Sequence, residues 1–202
     1  MRNSIEALKS IYPWPNEIPN VPPNLSGWFK PSKQKLLRRV IPADVEVILE
    51  LGSWHGMSTA WFLSHAPEAT VIAVDTWLGS VTHVLKGRYR RMLPTLYETF
   101  LVNCWTHRDR LIPVRNTSLM AMQLLKELKI SPDVIYFDAD HSWHGLMSEL
   151  EMAFEFWPGT IMIGDDYADN SVGEVVDGFC SRHKEFTVDT EMFSWYLRRK
   201  VE

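Results

Sequence analysis

Several things are scarce in this chain of 202 residues. It has two cysteines, Cys104 and Cys180, and no Cys-x-x-Cys pair. That excludes a disulfide framework, and a reducing compartment is expected. It has no apolar run long enough to span a membrane, and its opening, MRNSIEALKSIYPWP, lacks the continuous apolar stretch of a signal peptide. No membrane association and a cytoplasmic location are therefore expected. Excess positive charge is missing as well. Lys and Arg number 21 against 25 Asp and Glu, a net charge of −4, which argues against a nucleic-acid partner held by global charge.

What is present reads as a single globular domain preceded by an arm. Hydrophobic residues make up 46% and charged residues 23%, enough for a sizeable core. Seven of the twelve prolines fall within the first 42 residues. The stretch IYPWPNEIPNVPPNLSGWFKPS thus reads as irregular, and KQKLLRRVI as a short helix after it. Residues 1–43 form this arm and helix, and residues 44–202 the main domain. From residue 45 apolar runs of strand length alternate with helical spacings. The strands are VEVILEL, ATVIAVD, RLIPVRN, DVIYFD and GTIMIGDD. Between them lie the helices MSTAWFLSHA, LPTLYETFLVNCW, SLMAMQLLKEL and WHGLMSELEMAFEF. A further helix, VGEVVDGFCSRH, precedes FTVDTE and FSWYLRRK, two strands with no room for a crossover between them. The alternation specifies an α/β fold, a doubly wound, mostly parallel sheet of seven strands, with an antiparallel pairing at the end. Residues 76–92 are polar and basic without clear periodicity. They read as a solvated loop, with a mobile lid over an acidic acceptor as the other reading.

The first strand runs into LELGSWHGMST. Gly52 and Gly56 flank a tight strand-to-helix turn, where a ligand can approach the backbone and the helix N-terminus offers free N–H groups. The second strand ends in Asp75, 23 residues after Gly52, a spacing suited to an acid that binds a ribose hydroxyl. The middle glycine of a dinucleotide fingerprint is missing, with Trp54 in its place. A bulky side chain there is awkward for a pyrophosphate, which S-adenosylmethionine does not have.

VILELGSWHGMST, VIAVDTWLGS, DVIYFDADHSWHGLMSELE and IMIGDDY, in this order, resemble the class I S-adenosylmethionine-dependent methyltransferases. Within them they are most similar to the small-molecule O-methyltransferases of macrolide-sugar and catechol type. The resemblance covers about residues 45–200. It implies a Rossmann-like sheet of seven strands with an antiparallel last strand. It also implies a cofactor loop at Glu50, Gly52, Ser53 and Gly56, ribose binding by Asp75, and Trp77 or Ser118 near the adenine.

The fourth and fifth strands end in Asp138 and in Asp165–Asp166. On neighbouring parallel strands these three carboxylates converge and repel, and a hard cation such as Mg²⁺ relieves the repulsion. The resemblance places the metal at Asp138, Asp165 and Asp166. Catechol-type enzymes have asparagine at the last position, so Asp166 agrees better with the sugar-type relatives. His141 falls where catechol-type enzymes place a lysine base, and histidine titrates near neutrality. Ser142 reads as the N-cap of the following helix.

The expected function is divalent-cation-assisted O-methylation of a small hydroxylated molecule. The competing readings are a cofactor-binding regulatory protein without transfer activity and a nicotinamide-dependent oxidoreductase. The arm can roof the acceptor pocket or exchange with a second copy in a homo-oligomer.

Overall fold

The computed structural model describes residues 2–200. In chain order its elements begin with α1 (Arg2–Ile11), α2 (Gln34–Val40), β1 (Val47–Leu51), α3 (Met57–His65) and β2 (Thr70–Asp75). Two short helices follow, α4 (Val81–Leu85) and α5 (Gly87–Arg90), then α6 (Leu96–Cys104) and β3 (Leu111–Arg115). The chain continues through α7 (Ser118–Glu127), β4 (Val134–Phe137), α8 (Trp143–Phe156) and β5 (Ile161–Gly164). It closes with α9 (Asn170–Arg182), β6 (Phe186–Glu191) and β7 (Ser194–Arg199).

The sheet order is β3-β2-β1-β4-β5-β7-β6. β1 pairs in parallel with β2 and β4, and β4 pairs in parallel with β5. β7 lies antiparallel between β5 and β6. β6 therefore runs with the first five strands, and β7 alone runs against them. This is the doubly wound, mostly parallel sheet expected from the alternation, with the antiparallel last strand that the resemblance implies.

The central strands are apolar on both faces because both are covered. Along β1, Val47, Leu49 and Leu51 enter the layer that holds Met122, Leu125, Leu150 and Phe179. Ile48 enters the opposite layer with Leu36, Leu37, Phe62 and Phe100. α1 belongs to the first layer, since its Ile5 and Leu8 are buried there. A fully buried leucine contributes about 1.5–3 kcal/mol, which holds a short helix that would be marginal alone. The stretch 12–30, rich in proline, is irregular and folds back onto its own chain. Trp14 Nε1 donates to the Leu111 carbonyl at 2.8 Å, and Asn103 Nδ2 donates to the Asn24 carbonyl at 2.8 Å.

Strand order reverses between β1 and β4, so the crevice of this sheet opens at their carboxyl ends. Every residue expected at the site from β1, β2, β4 and β5 lies at that end. No helix of the described residues is long and apolar enough to cross a membrane.

Candidate active site

The glycine loop is held from below. Glu50 is fully buried and accepts hydrogen bonds from Ser53 Oγ at 2.8 Å, Ser58 Oγ at 2.5 Å and Thr59 Oγ1. Burial pushes its pKa up from 4.5 to about 7, against the pull of these three hydroxyls. Glu50 thus binds the loop and the first turn of α3 together. Gly52 has φ +89°, and a Cβ there would lie 2.2 Å from the Asp138 carbonyl oxygen. Only glycine lets the β1 and β4 exits approach so closely. Gly56 is the left-handed N-cap of α3 and packs on Cys104 and Phe100.

Asp75 closes the loop from the side. Its Oδ2 accepts the N–H groups of Ser53 at 3.0 Å and Trp54 at 2.9 Å, and its Oδ1 accepts that of Trp77 at 2.7 Å. Three of roughly four acceptor positions of the carboxylate are taken, which leaves about one for a further donor.

Trp77, which with Ser118 is one of two residues expected near the adenine, is buried beside the loop. Its ring is 1% exposed, packs on Tyr97 and Phe100, and donates Nε1–H to the Trp54 carbonyl at 2.9 Å. A bulky apolar ring gains more from the core than from a ligand edge, and Trp77 braces the loop. Ser118 opens α7 beside Glu149, whose burial pushes its carboxyl up to about 7 while the Ser118 hydroxyl opposes the rise.

At the strand tips the structure gathers Asp138, His141 and Asp166. One ligand atom from each lies within 4.8 Å of the others. His141 Nε2 stands 3.6 Å from Asp138 Oδ1 and 3.7 Å from Asp166 Oδ2. The nearby Asp138 carboxylate raises the His141 pKa, burial lowers it, and the net shift is upward. Burial raises the pKa of Asp138. Asp166 adopts φ +58°, which aspartate tolerates better than most residues. Ser142 caps α8 through Gly145 N–H at 3.1 Å, and Asp140 Oδ1 accepts the Ser142 N–H at 2.8 Å. Cap and cluster share this turn.

Asp165, expected as the third metal ligand, stands outside this group. Its carboxylate is 2% exposed and paired with the ammonium of Lys33, and Ser194 Oγ lies 3.4 Å from its Oδ1. Lys33 Nζ also lies 3.5 Å from Asp166 Oδ1. A carboxylate taken out of water requires a counter-charge, and here the arm delivers it. No sequence signal separates Lys33 from its neighbours Lys30 and Lys35.

The arm and the segment 76–92 meet over the loop. Trp28 packs on Trp54 with ring centroids 5.6 Å apart, and His83 lies 4.4 Å from Trp54 and 5.6 Å from Trp28. Tyr89 joins them at 5.4 Å from Trp28. His55 is buried, and its Nδ1 lies 2.8 Å from the Ser26 carbonyl oxygen. The segment expected to be a solvated loop instead folds into α4 and α5, on which Lys86, Arg88 and Arg91 are exposed while His83 and Tyr89 are part-buried. The ring cluster was not foreseen, because its four members come from three separate segments.

Comparison with solved structures supports the same architecture. An O-methyltransferase from Bacillus cereus, solved with S-adenosylhomocysteine, is 16% identical, with a TM-score of 0.59, over 98% of this chain and 90% of that one. The O-methyltransferase TomG from Streptomyces achromogenes, solved with S-adenosylmethionine, is 15% identical over 82% and 77%, with a TM-score of 0.56. The calicheamicin methyltransferase CalS11 is 17% identical over 83% and 77%, with a TM-score of 0.55. At these identities the likeness is one of fold. Comparison with curated proteins gave no match. The sequence pattern of a family described as a methyltransferase domain matches residues 49–167, which contain the glycine loop, Asp75 and the whole tip cluster. The chain belongs to this methyltransferase family.

Proposed function

We propose that this methyltransferase moves the methyl group of S-adenosylmethionine to a hydroxyl oxygen of a small acceptor, with a divalent cation at the strand tips. The observation that carries the reading is the grouping of Asp138, His141 and Asp166 within 4.8 Å, next to the crevice between β1 and β4. The O-methyltransferases solved with S-adenosylmethionine or its product share this fold and support the choice of donor.

The residues fit both groups. Mg²⁺ is held through one or two carboxylates with water completing its shell, and Asp138 with Asp166 offers that number. Asp75 retains an acceptor position for ribose, and the absence of a middle glycine at Trp54 disfavours a pyrophosphate. When bound, the cation lowers the pKa of the acceptor hydroxyl, and the sulfonium supplies the methyl group. The chain does the rest. Asp138 and Asp166 fix the acceptor side of the crevice. Neutral His141 takes the hydroxyl proton at Nε2. Gly52, Glu50 and Asp75 fix the donor side, so that oxygen and methyl carbon meet in line. The ring cluster of Trp28, Trp54, His83 and Tyr89 limits water over the loop.

Calorimetry with S-adenosylhomocysteine, followed by turnover on a panel of phenols, sugars and polyols, tests the proposal. Binding is expected in the native chain and at least about tenfold weaker in Asp75→Ala. Product is expected to fall with chelator and with Asp138→Asn. Full turnover in excess chelator would remove the cation from the reading. Binding without product across the panel would favour a regulatory protein, and tighter binding of NAD would favour an oxidoreductase.

A further inference from the structure

We infer that Lys33 is a positioning residue of this site: its ammonium holds Asp165 out of the cation-binding set and weakens the affinity of the acid cluster for a divalent ion. The inference rests on the cation reading above and assigns to the arm a part in it.

The geometry comes first. Lys33 ends the turn that follows Pro31 and immediately precedes α2. Leu36 and Leu37 of α2 are fully buried and Phe29 is nearly so, so the backbone on both sides of Lys33 is fixed in the core. The Lys33 side chain is 7% exposed, as befits a charge with a dedicated partner. Its ammonium reaches Asp165 and, at 3.5 Å, Asp166. Ser194 contacts the other Asp165 oxygen at 3.4 Å. Asp165 is thereby used up within the protein. Asp166 is shared, because its second oxygen faces His141.

Charge gives the consequence. Asp138, Asp165 and Asp166 ionised sum to −3, and Lys33 brings the group to −2, which one divalent ion balances. Without Lys33 the group stays at −3, and Asp165 becomes a third oxygen donor. Both changes favour a cation. The ammonium is itself a cation that contacts two of these acids. The arm that carries it is tied to the glycine loop by Ser26 on His55 and Trp28 on Trp54. A divalent ion that takes Asp165 must first displace the Lys33 ammonium from it.

The test compares Mn²⁺ affinity of the full chain, read from the paramagnetic resonance of free Mn²⁺. Lys33→Met is expected to bind Mn²⁺ about tenfold tighter or more than the native chain. Adding Asp165→Asn in the Lys33→Met background is expected to abolish the gain. A purely structural lysine would leave affinity unchanged or lower it, and either result overturns the inference, as does a gain that survives Asp165→Asn. Lys33→Met leaves Asp165 buried without its partner and can unfold in the absence of the ion. Recovery of its cooperative melt with Mn²⁺, but not with NaCl of equal ionic strength, supports the inference in that case; a chain that stays unfolded in Mn²⁺ overturns it. Mn²⁺ binding to the native chain and its loss in Asp138→Asn, measured in parallel, report on the cation reading alone, so the two failures are distinguishable.

Discussion

Glu50→Gln removes an ionisable group from the point where the sheet, the glycine loop and α3 meet, and with it a pH dependence of folding. Glu50 is fully buried and its folded pKa lies near 7 against an ordinary 4.5. Below pH 4.5 both folded and unfolded chains carry the proton and its stabilising effect is fully present. Between 4.5 and about 7 the unfolded chain releases it and the folded chain keeps it, so stability falls as pH rises. The fall is about 3 kcal/mol, from the linkage of 1.36 kcal/mol per pH unit. Above pH 7 both forms are ionised and the loss is complete. Glu149 behaves alike, since burial also raises it to about 7. The native chain therefore loses roughly twice as much between pH 4.5 and pH 8, and Glu50→Gln loses about half of that. For a chain of this length about 3 kcal/mol corresponds to about 6–12 °C in Tm. Urea unfolding and thermal melts at pH 5 and pH 8 measure it. Glutamine keeps polar contacts for Ser53, Ser58 and Thr59, so the variant is expected near native stability at pH 5. Glu50→Leu strands three hydroxyls and is expected to destabilise at both pH values by about 1–3 kcal/mol each. Equal losses with pH in the native chain and in Glu50→Gln would refute the reasoning.

Gly52→Ala places a Cβ 2.2 Å from a backbone oxygen at φ +89°, so the β1 and β4 exits must part. A drop in stability of about 3 kcal/mol or more is expected, with Gly159→Ala, which meets nothing within 4 Å, close to neutral in the same melt. Cys104 is buried, and burial holds its thiol well above the ordinary range, whereas Cys180 is partly exposed. Brief treatment with a thiol reagent, read by peptide mass, is expected to label Cys180 first and Cys104 only on unfolding.

Much of the architecture was legible because it is written in local patterns. The β-branched runs fix strands, the helical spacings between them fix crossovers, and alternation of the two leaves few topologies. The helices α3, α6, α7, α8 and α9 lie where their spacing placed them, with boundaries differing by up to a few residues. α1 escaped because RNSIEALKSI is short and polar, and its helicity depends on Ile5 and Leu8 reaching a core built elsewhere. α4 and α5 escaped because neither buries a residue, so no periodicity marks them.

At the site the same division holds. Sequence determined that Gly52, Asp75, Asp138 and the pair Asp165–Asp166 stand at strand tips, since each follows or ends an apolar run whose direction is set by the parallel sheet. It determined the cap at Ser142, which depends on contacts three residues away. Tertiary structure alone decided which acids stay free. Asp165 and Asp166 are neighbours in the chain, yet one is neutralised by a lysine 132 residues earlier and the other turns to His141. It also decided that Trp77 braces the loop, because an indole beside Tyr97 and Phe100 is better buried than exposed. The reason is common to both cases: a residue's type fixes what it can bond, but burial and long-range charge pairing select the partner, and those exist only once distant segments have packed.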